Sequence, residues 1–147
     1  MSEDTLINSK CGHTEKLDEP AELSERTGSV YTKNDWGTDM ASLTVRHRCG
    51  NDPDKQEETT YYNVATGSTV GPFSIGYETG AGSPFDYWWI KFMLNNGKVY
   101  TIKDNFYCYI SSSDSGRVDL RIDGAESKLF VKFSSSSSCK VSIDPTD

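Results

Sequence analysis

From Gly28 onward, apolar and polar residues alternate with a period of two, the spacing of a strand buried on one side. Ala41, Leu43, Val45 and His47 alternate with Ser42, Thr44, Arg46 and Arg48. Phe73, Ile75 and Tyr77 alternate with Ser74, Gly76 and Glu78. Phe106, Cys108 and Ile110 share a face, as do Val118, Leu120 and Ile122, then Leu129, Val131 and Phe133; Val141 and Ile143 close the series. Turn-forming clusters lie between these runs: Gly50-Asn51-Asp52-Pro53, Gly80-Ala81-Gly82-Ser83-Pro84, Asn95-Asn96-Gly97 and Asp123-Gly124. The Asn-Asn-Gly step predicts a hairpin. Many short strands with no helical period between them point to a sandwich or a barrel. We expect an all-β fold, an antiparallel β-sandwich.

Residues 85–94 break the alternation. Trp88, Ile90, Phe92 and Leu94 make one apolar face, and Tyr87, Trp89 and Met93, interrupted by Lys91, make another. A sheet of this kind normally turns one face to water. The second face must be covered by the amino-terminal arm, by a loop or by another chain. Interfaces are enriched in Tyr, Trp and Met, so Tyr87, Trp89 and Met93 are the expected interface residues. Eleven of the 17 aromatic residues fall within residues 73–109, which places the centre of the core there.

Charge divides the chain in two. Residues 1–28 carry seven acids against three bases, no aromatic residue and few large apolar ones. Residues 29–147 carry 15 acids against 12 bases, so −4 of the total −7 sits in the first fifth. Such a segment buries too little apolar surface to offset its ordering entropy. It reads as an acidic N-terminal arm over residues 1–28, followed by one β-sandwich domain over 29–147. A short helix is expected over 19–26, with Asp18 as N-cap and Pro20 in the first turn. The acid surplus speaks against a nucleic-acid partner, which would call for clustered Lys and Arg. No apolar run reaches the roughly 20 residues of a membrane span, and Met1-Ser2-Glu3-Asp4 lacks a basic-then-apolar signal. The expected location is cytoplasmic.

Little in the chain points to catalysis. Its only histidines are His13 and His47, and His47 continues the inward face of its strand, where a hydrogen-bonded structural role is expected. Gly67-Ser68-Thr69-Val70-Gly71 has the wrong spacing for a nucleophile elbow. Gly80-Ala81-Gly82 lacks the third glycine and the helix of a dinucleotide loop. Glu78, Asp86 and Asp104 lie near aromatic segments and would serve as paired carboxylates if they met in space. The expectation is a protein that is not an enzyme and uses no cofactor. The four cysteines, at 11, 49, 108 and 139, form no Cys-x-x-Cys pair, and no Asn-x-Ser/Thr acceptor exists. An even count of cysteines would suit two disulfides in a secreted domain; against that stand the missing signal and the missing acceptor, so reduced thiols are expected, with Cys108 a buried small hydrophobe. One metal-ligating arrangement stands against this: Cys11 with His13 and His47 with Cys49 are reciprocal i, i+2 pairs that together offer a tetrahedral zinc set. Ser134–Ser138 reads as a flexible polar loop between two strands.

The central block carries a family resemblance. Gly71-Pro72-Phe73-Ser74-Ile75-Gly76-Tyr77-Glu78-Thr79-Gly80 is followed by Phe85-Asp86-Tyr87-Trp88-Trp89-Ile90. Then come Asn96-Gly97-Lys98-Val99-Tyr100 and Asp104-Asn105-Phe106-Tyr107-Cys108-Tyr109-Ile110. With Ala41-Ser42-Leu43-Thr44-Val45-Arg46-His47, these resemble the PUD family, small nematode proteins whose abundance rises when insulin-like signalling is reduced. The resemblance covers roughly residues 28–133, and Asp-Tyr-Trp-Trp is its most specific part. It implies an antiparallel β-sandwich without catalytic activity that pairs with a related paralogue, as a heterodimer, or with itself. The family's architecture is similar to that of the aegerolysins, which implies, by fold analogy alone, an alternative role in binding lipid headgroups or carbohydrate. A membrane lipid ranks behind a protein partner.

Overall fold

The computed structural model describes residues 22–135 and 138–146. Their ten strands are β1 (Ser24–Asp35), β2 (Met40–Cys49), β3 (Gln56–Val64), β4 (Thr69–Thr79), β5 (Asp86–Leu94), β6 (Val99–Thr101), β7 (Arg117–Asp123), β8 (Lys128–Lys132), β9 (Cys139–Ser142) and β10 (Asp144–Pro145). They form two five-stranded sheets, β4-β1-β7-β8-β9 (sheet A) and β10-β6-β5-β2-β3 (sheet B). The fold is an all-β sandwich. All described pairings between strands are antiparallel except β1 with β7, which run parallel in register Val30↔Val118 and Thr32↔Leu120. Parallel neighbours need a long crossover, and here the chain passes through all of β2 to β6 between them.

The core forms where the inward residues of both sheets meet. Val30, Leu43, Val45, Trp88, Ile90, Val118, Ile122, Leu129 and Val131 are completely buried. Trp88 satisfies its indole N–H by donating to the Cys108 carbonyl (2.8 Å), as a buried tryptophan must. The Asn95-Asn96-Gly97 step makes the β5–β6 hairpin: Gly97 N donates to Leu94 O (2.9 Å), Leu94 N to Lys98 O (2.8 Å), and Gly97 has φ +90°. Gly28 is required by close approach, since a Cβ there would stand 2.6 Å from the Gly116 carbonyl oxygen.

Several expectations need correction. The arm does not extend to residue 28, because β1 begins at Ser24 and pairs with β4 from Ser24↔Thr79 to Lys33↔Thr69. That pairing also replaces the helix expected over 19–26 at residues 24–26, where backbone bonding to β4 overrides the local capping signal; residues 1–21 lie outside the described ones. Phe106, Cys108 and Ile110 are all buried, yet they belong to no strand and bond to sheet B mainly through the Tyr87↔Tyr107 bridge and the Trp88 N–Phe106 O and Cys108 N–Asp86 O bonds. The three described cysteines are not reduced thiols. Cys108 and Cys139 form a disulfide across 31 residues of sequence, their Cα atoms 6.0 Å apart, and Cys49 is disulfide-bonded as well. The strand-like spacing brings Cys108 beside β9 of the opposite sheet, which the absence of a Cys-x-x-Cys motif could not reveal. In the serine tract, Ser135 is anchored: its amide donates to Asp114 Oδ1 (2.7 Å) and its hydroxyl to Ser113 O (2.7 Å). Residues 136 and 137 lie outside the described ones.

Candidate functional site

Period-two geometry sends Trp88, Ile90, Phe92 and Leu94 of β5 into the core and Tyr87, Trp89, Lys91 and Met93 to the outer face of sheet B. The register extends that face across three strands. Ser42 of β2 sits between Tyr62 of β3 and Met93 of β5, so a small residue separates two large ones. Tyr62 is 70 % exposed and Met93 37 %. At the other end, Tyr107 is 49 % exposed and tilts against Tyr87 at 5.8 Å between ring centroids. Phe85 stacks on Tyr107 at 4.5 Å and on Tyr109 at 5.2 Å, which makes a short aromatic ladder. Between the two ends, the Arg46 guanidinium lies over the Trp89 ring at 4.9 Å and donates to Asp104 Oδ1 at 2.7 Å. That hydrogen bond, with the charges of Arg46 and Arg48, holds the Asp104 carboxyl below the ordinary carboxylate range despite some desolvation. Arg46 is itself only 6 % exposed, and its Nε has no hydrogen-bond partner.

The expected interface residues are therefore not equivalent. Tyr87 is buried beneath Tyr107, Trp89 is half-buried under Arg46, and Met93 alone stands open. Part of the second apolar face is covered from within the chain, by residues 104–109. The alternation along the sequence does not single out Tyr62 or Tyr107. The run Thr59-Thr60-Tyr61-Tyr62-Asn63-Val64 carries a strand-forming composition that would have pointed to β3; nothing local marks Tyr107.

On the inner face of the same sheet lies a charged triad. His47 is fully buried; its Nδ1 is 2.7 Å from Glu57 Oε1 and its Nε2 2.9 Å from Asp86 Oδ1. Burial opposes the charged ring, but the hydrogen bonds to Asp86 and Glu57 and the two carboxylate charges outweigh it and raise the His47 pKa. Both carboxylates do a second task. Asp86 Oδ2 accepts from the Ile110 amide (2.8 Å) and Glu57 Oε2 from the Gly76 amide of β4 (2.8 Å). With both nitrogens committed and no solvent access, His47 has no free site for a substrate proton. Next to Glu57, where the edges of β3 and β4 part, runs an open groove of about 800 Å³ with Arg26, Lys55, Tyr77 and Glu78 in its walls.

Of the three carboxylates singled out as a pair-forming set, Asp104 stands apart from the other two. Asp86 is inside, Asp104 is 67 % exposed on the outer face, and Glu78 lines the groove. The zinc arrangement is corrected for its described half: the Cys49 sulfur is in a disulfide, which removes the thiolate a metal needs, and both His47 nitrogens are engaged. Cys11 and His13 lie outside the described residues. Among the described residues no cluster of three or more His, Cys, Asp or Glu side chains is arranged to hold a metal ion, and no helix is long and apolar enough to cross a membrane. No protein-family model and no characterised protein matches the chain.

Proposed function

We propose that this protein is a non-enzymatic β-sandwich of the PUD family that works by associating, as a heterodimer with a related paralogue or as a homodimer, through the outer face of sheet B around Trp89 and Met93. One observation carries the reading. Of the four exposed large apolar side chains among the described residues, three (Tyr62, Met93 and Tyr107) stand on this one face. With Arg46 and Trp89 between them, the composition is that of an interface centre, rich in Tyr, Met, Trp and Arg. Exposed apolar residues gathered on one face mark a binding surface, whereas the same residues scattered would need no explanation. Light scattering after size-exclusion chromatography tests it. A dimer is expected, alone or mixed with a paralogue; a monomer at high micromolar concentration in both cases would sink the reading. Membership of the PUD family adds that abundance should rise when insulin-like signalling falls.

The aegerolysin-like alternative, a lipid-headgroup or carbohydrate module, draws on the Tyr107–Phe85–Tyr109 ladder, since flat amphipathic rings suit both ligands. Co-sedimentation with neutral and sphingolipid-containing vesicles separates it from association. Location divides in the same way. The sequence reading is cytoplasmic, while the Cys108–Cys139 disulfide favours a non-reducing compartment. Alkylation of free thiols in freshly lysed cells decides between them: blocked Cys108 and Cys139 would place the protein outside the reducing cytosol.

A further inference from the structure

Four cysteines stand in the sequence, at 11, 49, 108 and 139. Cys108 and Cys139 are joined to each other. Cys49 is in a disulfide too, and no described cysteine is left for it to meet. Within one chain only Cys11 remains. The two sulfurs then come from different parts of the sequence: Cys49 ends β2, whereas Cys11 lies in the acidic arm, ten residues before Glu22 is reached.

The position of Cys49 decides what such a bond does. It is 2 % exposed and lines the groove of about 800 Å³ where β3 and β4 part. A disulfide keeps its two Cα atoms within about 7 Å of each other, so the chain around Cys11 has to come to the wall of this groove. The described chain begins close by. A Cβ on Gly80 would collide with the Glu22 carbonyl, so the residues before β1 leave the sheet against the turn that follows β4. That turn leads to Phe85, whose carbonyl accepts from the Gly50 amide, next to Cys49, at 2.7 Å. Ten extended residues reach about 33 Å, ample for a path from Glu22 along the groove to Cys49. The groove also calls for a cover. β4 and β3 are the outermost strands of sheets A and B, and proteins commonly cover such edges with a loop or a helix.

We infer that the groove between β3 and β4 is the docking site of the chain's own amino-terminal arm, which is fastened there by a disulfide between Cys11 and Cys49. Forming the bond takes one proton and one electron from each thiol. The two electrons pass to an oxidised thiol compound by disulfide exchange, and that compound leaves as two thiols. The competing occupant is a second copy of the chain, joined Cys49 to Cys49. It would have to bring together two sulfurs that are each buried inside a domain. The inference invokes neither Tyr62, Trp89 nor Met93, so it stands apart from the association reading.

Peptide mapping of the unreduced full chain, with free thiols first blocked by N-ethylmaleimide, tests the bond. Trypsin cuts after Lys and Arg, so residues 11–16 should appear joined to residues 49–55, and residues 104–117 to residues 133–140. Hydrogen exchange tests the docking. In Cys11→Ser, the amides of residues 25–27, 55–57 and 76–78 should exchange about tenfold faster or more, with those of β7 unchanged. Cys11→Ser combined with Cys49→Ala should repeat the effect without leaving a thiol that could pair again. A blocked Cys49, or a 49–55 peptide joined to a second 49–55 peptide or to any segment other than 11–16, would overturn the inference. So would unchanged exchange in the groove walls, or a rise shared equally by β7.

Discussion

Glu57 and His47 face each other across β3 and β2, with Oε1 2.7 Å from Nδ1, while the second oxygen of the same carboxylate accepts from the Gly76 amide of β4. One side chain thus joins a buried histidine of sheet B to the edge strand of sheet A. It does so at the side where β3 and β4 would otherwise present unpaired strand edges, which proteins commonly cover. Asp86 completes the arrangement by tying the other ring nitrogen to the Ile110 amide, and so to the segment that carries Tyr107 and Tyr109. The outer aromatic face therefore rests on an inner charged network.

Removing either carboxylate leaves buried donors unsatisfied. Asp86→Asn should destabilise the fold by about 3 kcal/mol, since Asp86 is completely buried with its partner. Glu57→Gln should cost less, about 1–2 kcal/mol, because its side chain is one-third exposed and water can replace part of what is lost. Urea denaturation followed by tryptophan fluorescence measures both; equal effects would contradict this division.

Stability should fall as pH rises through the folded-state value of His47. Its folded pKa lies above the unfolded value of 6.5. The contribution is therefore complete below 6.5 and is lost as the pH passes the raised folded value. Denaturation midpoints taken at half-unit steps from pH 6 upward should decline over that window. His47→Gln should flatten the decline, and imidazole nitrogen shifts in NMR should show His47 titrating above 6.5. A titration at or below 6.5 would exclude the charged triad.

The Cys108–Cys139 bridge closes a loop of about 30 residues that contains β7, β8 and the serine tract. Loop-closure entropy of that size corresponds to about 3–4 kcal/mol. The Cys108→Ala, Cys139→Ala double variant should lose stability on that order by urea denaturation. Because Cys108 N donates to Asp86 O, hydrogen exchange at residues 106–110 should also rise more than exchange within β7.

The strands that could be read from sequence are those whose inward residues are uniformly apolar. Val118, Leu120 and Ile122, and Leu129 with Val131, alternate cleanly because one side faces core and the other water. β1 and β3 break that rule. The inward positions of β1 include Thr32 and Asn34, and Asn34 is tolerable only because its amide donates to the Thr38 and Val64 carbonyls at 3.0 and 3.1 Å. Inward Glu57 makes β3 look polar until His47 and Gly76 supply its partners. The double apolar character of residues 85–94 was legible. That part of its outer face is covered by residues 104–109 was not, because an isolated bridge and a disulfide leave no periodic trace.

Association and folding should separate by mutation on the outer face of sheet B. Tyr62 and Met93 stand open on either side of Ser42, so under the proposed association Tyr62→Asp and Met93→Asp would remove partner contacts while burying no new charge in the monomer. Each should weaken the dimer at least tenfold, about 1.4 kcal/mol or more, while monomer stability stays within about 0.5 kcal/mol. Trp89→Ala should behave differently. The indole supports Arg46, which is almost fully buried and holds Asp104, so its loss exposes a charged pair to rearrangement and lowers monomer stability as well as affinity. Sedimentation velocity gives the first quantity and urea denaturation the second. If Trp89→Ala changed affinity alone, Arg46 would not depend on it; if Tyr62→Asp and Met93→Asp left the dimer intact, the interface would have to lie elsewhere on the molecule.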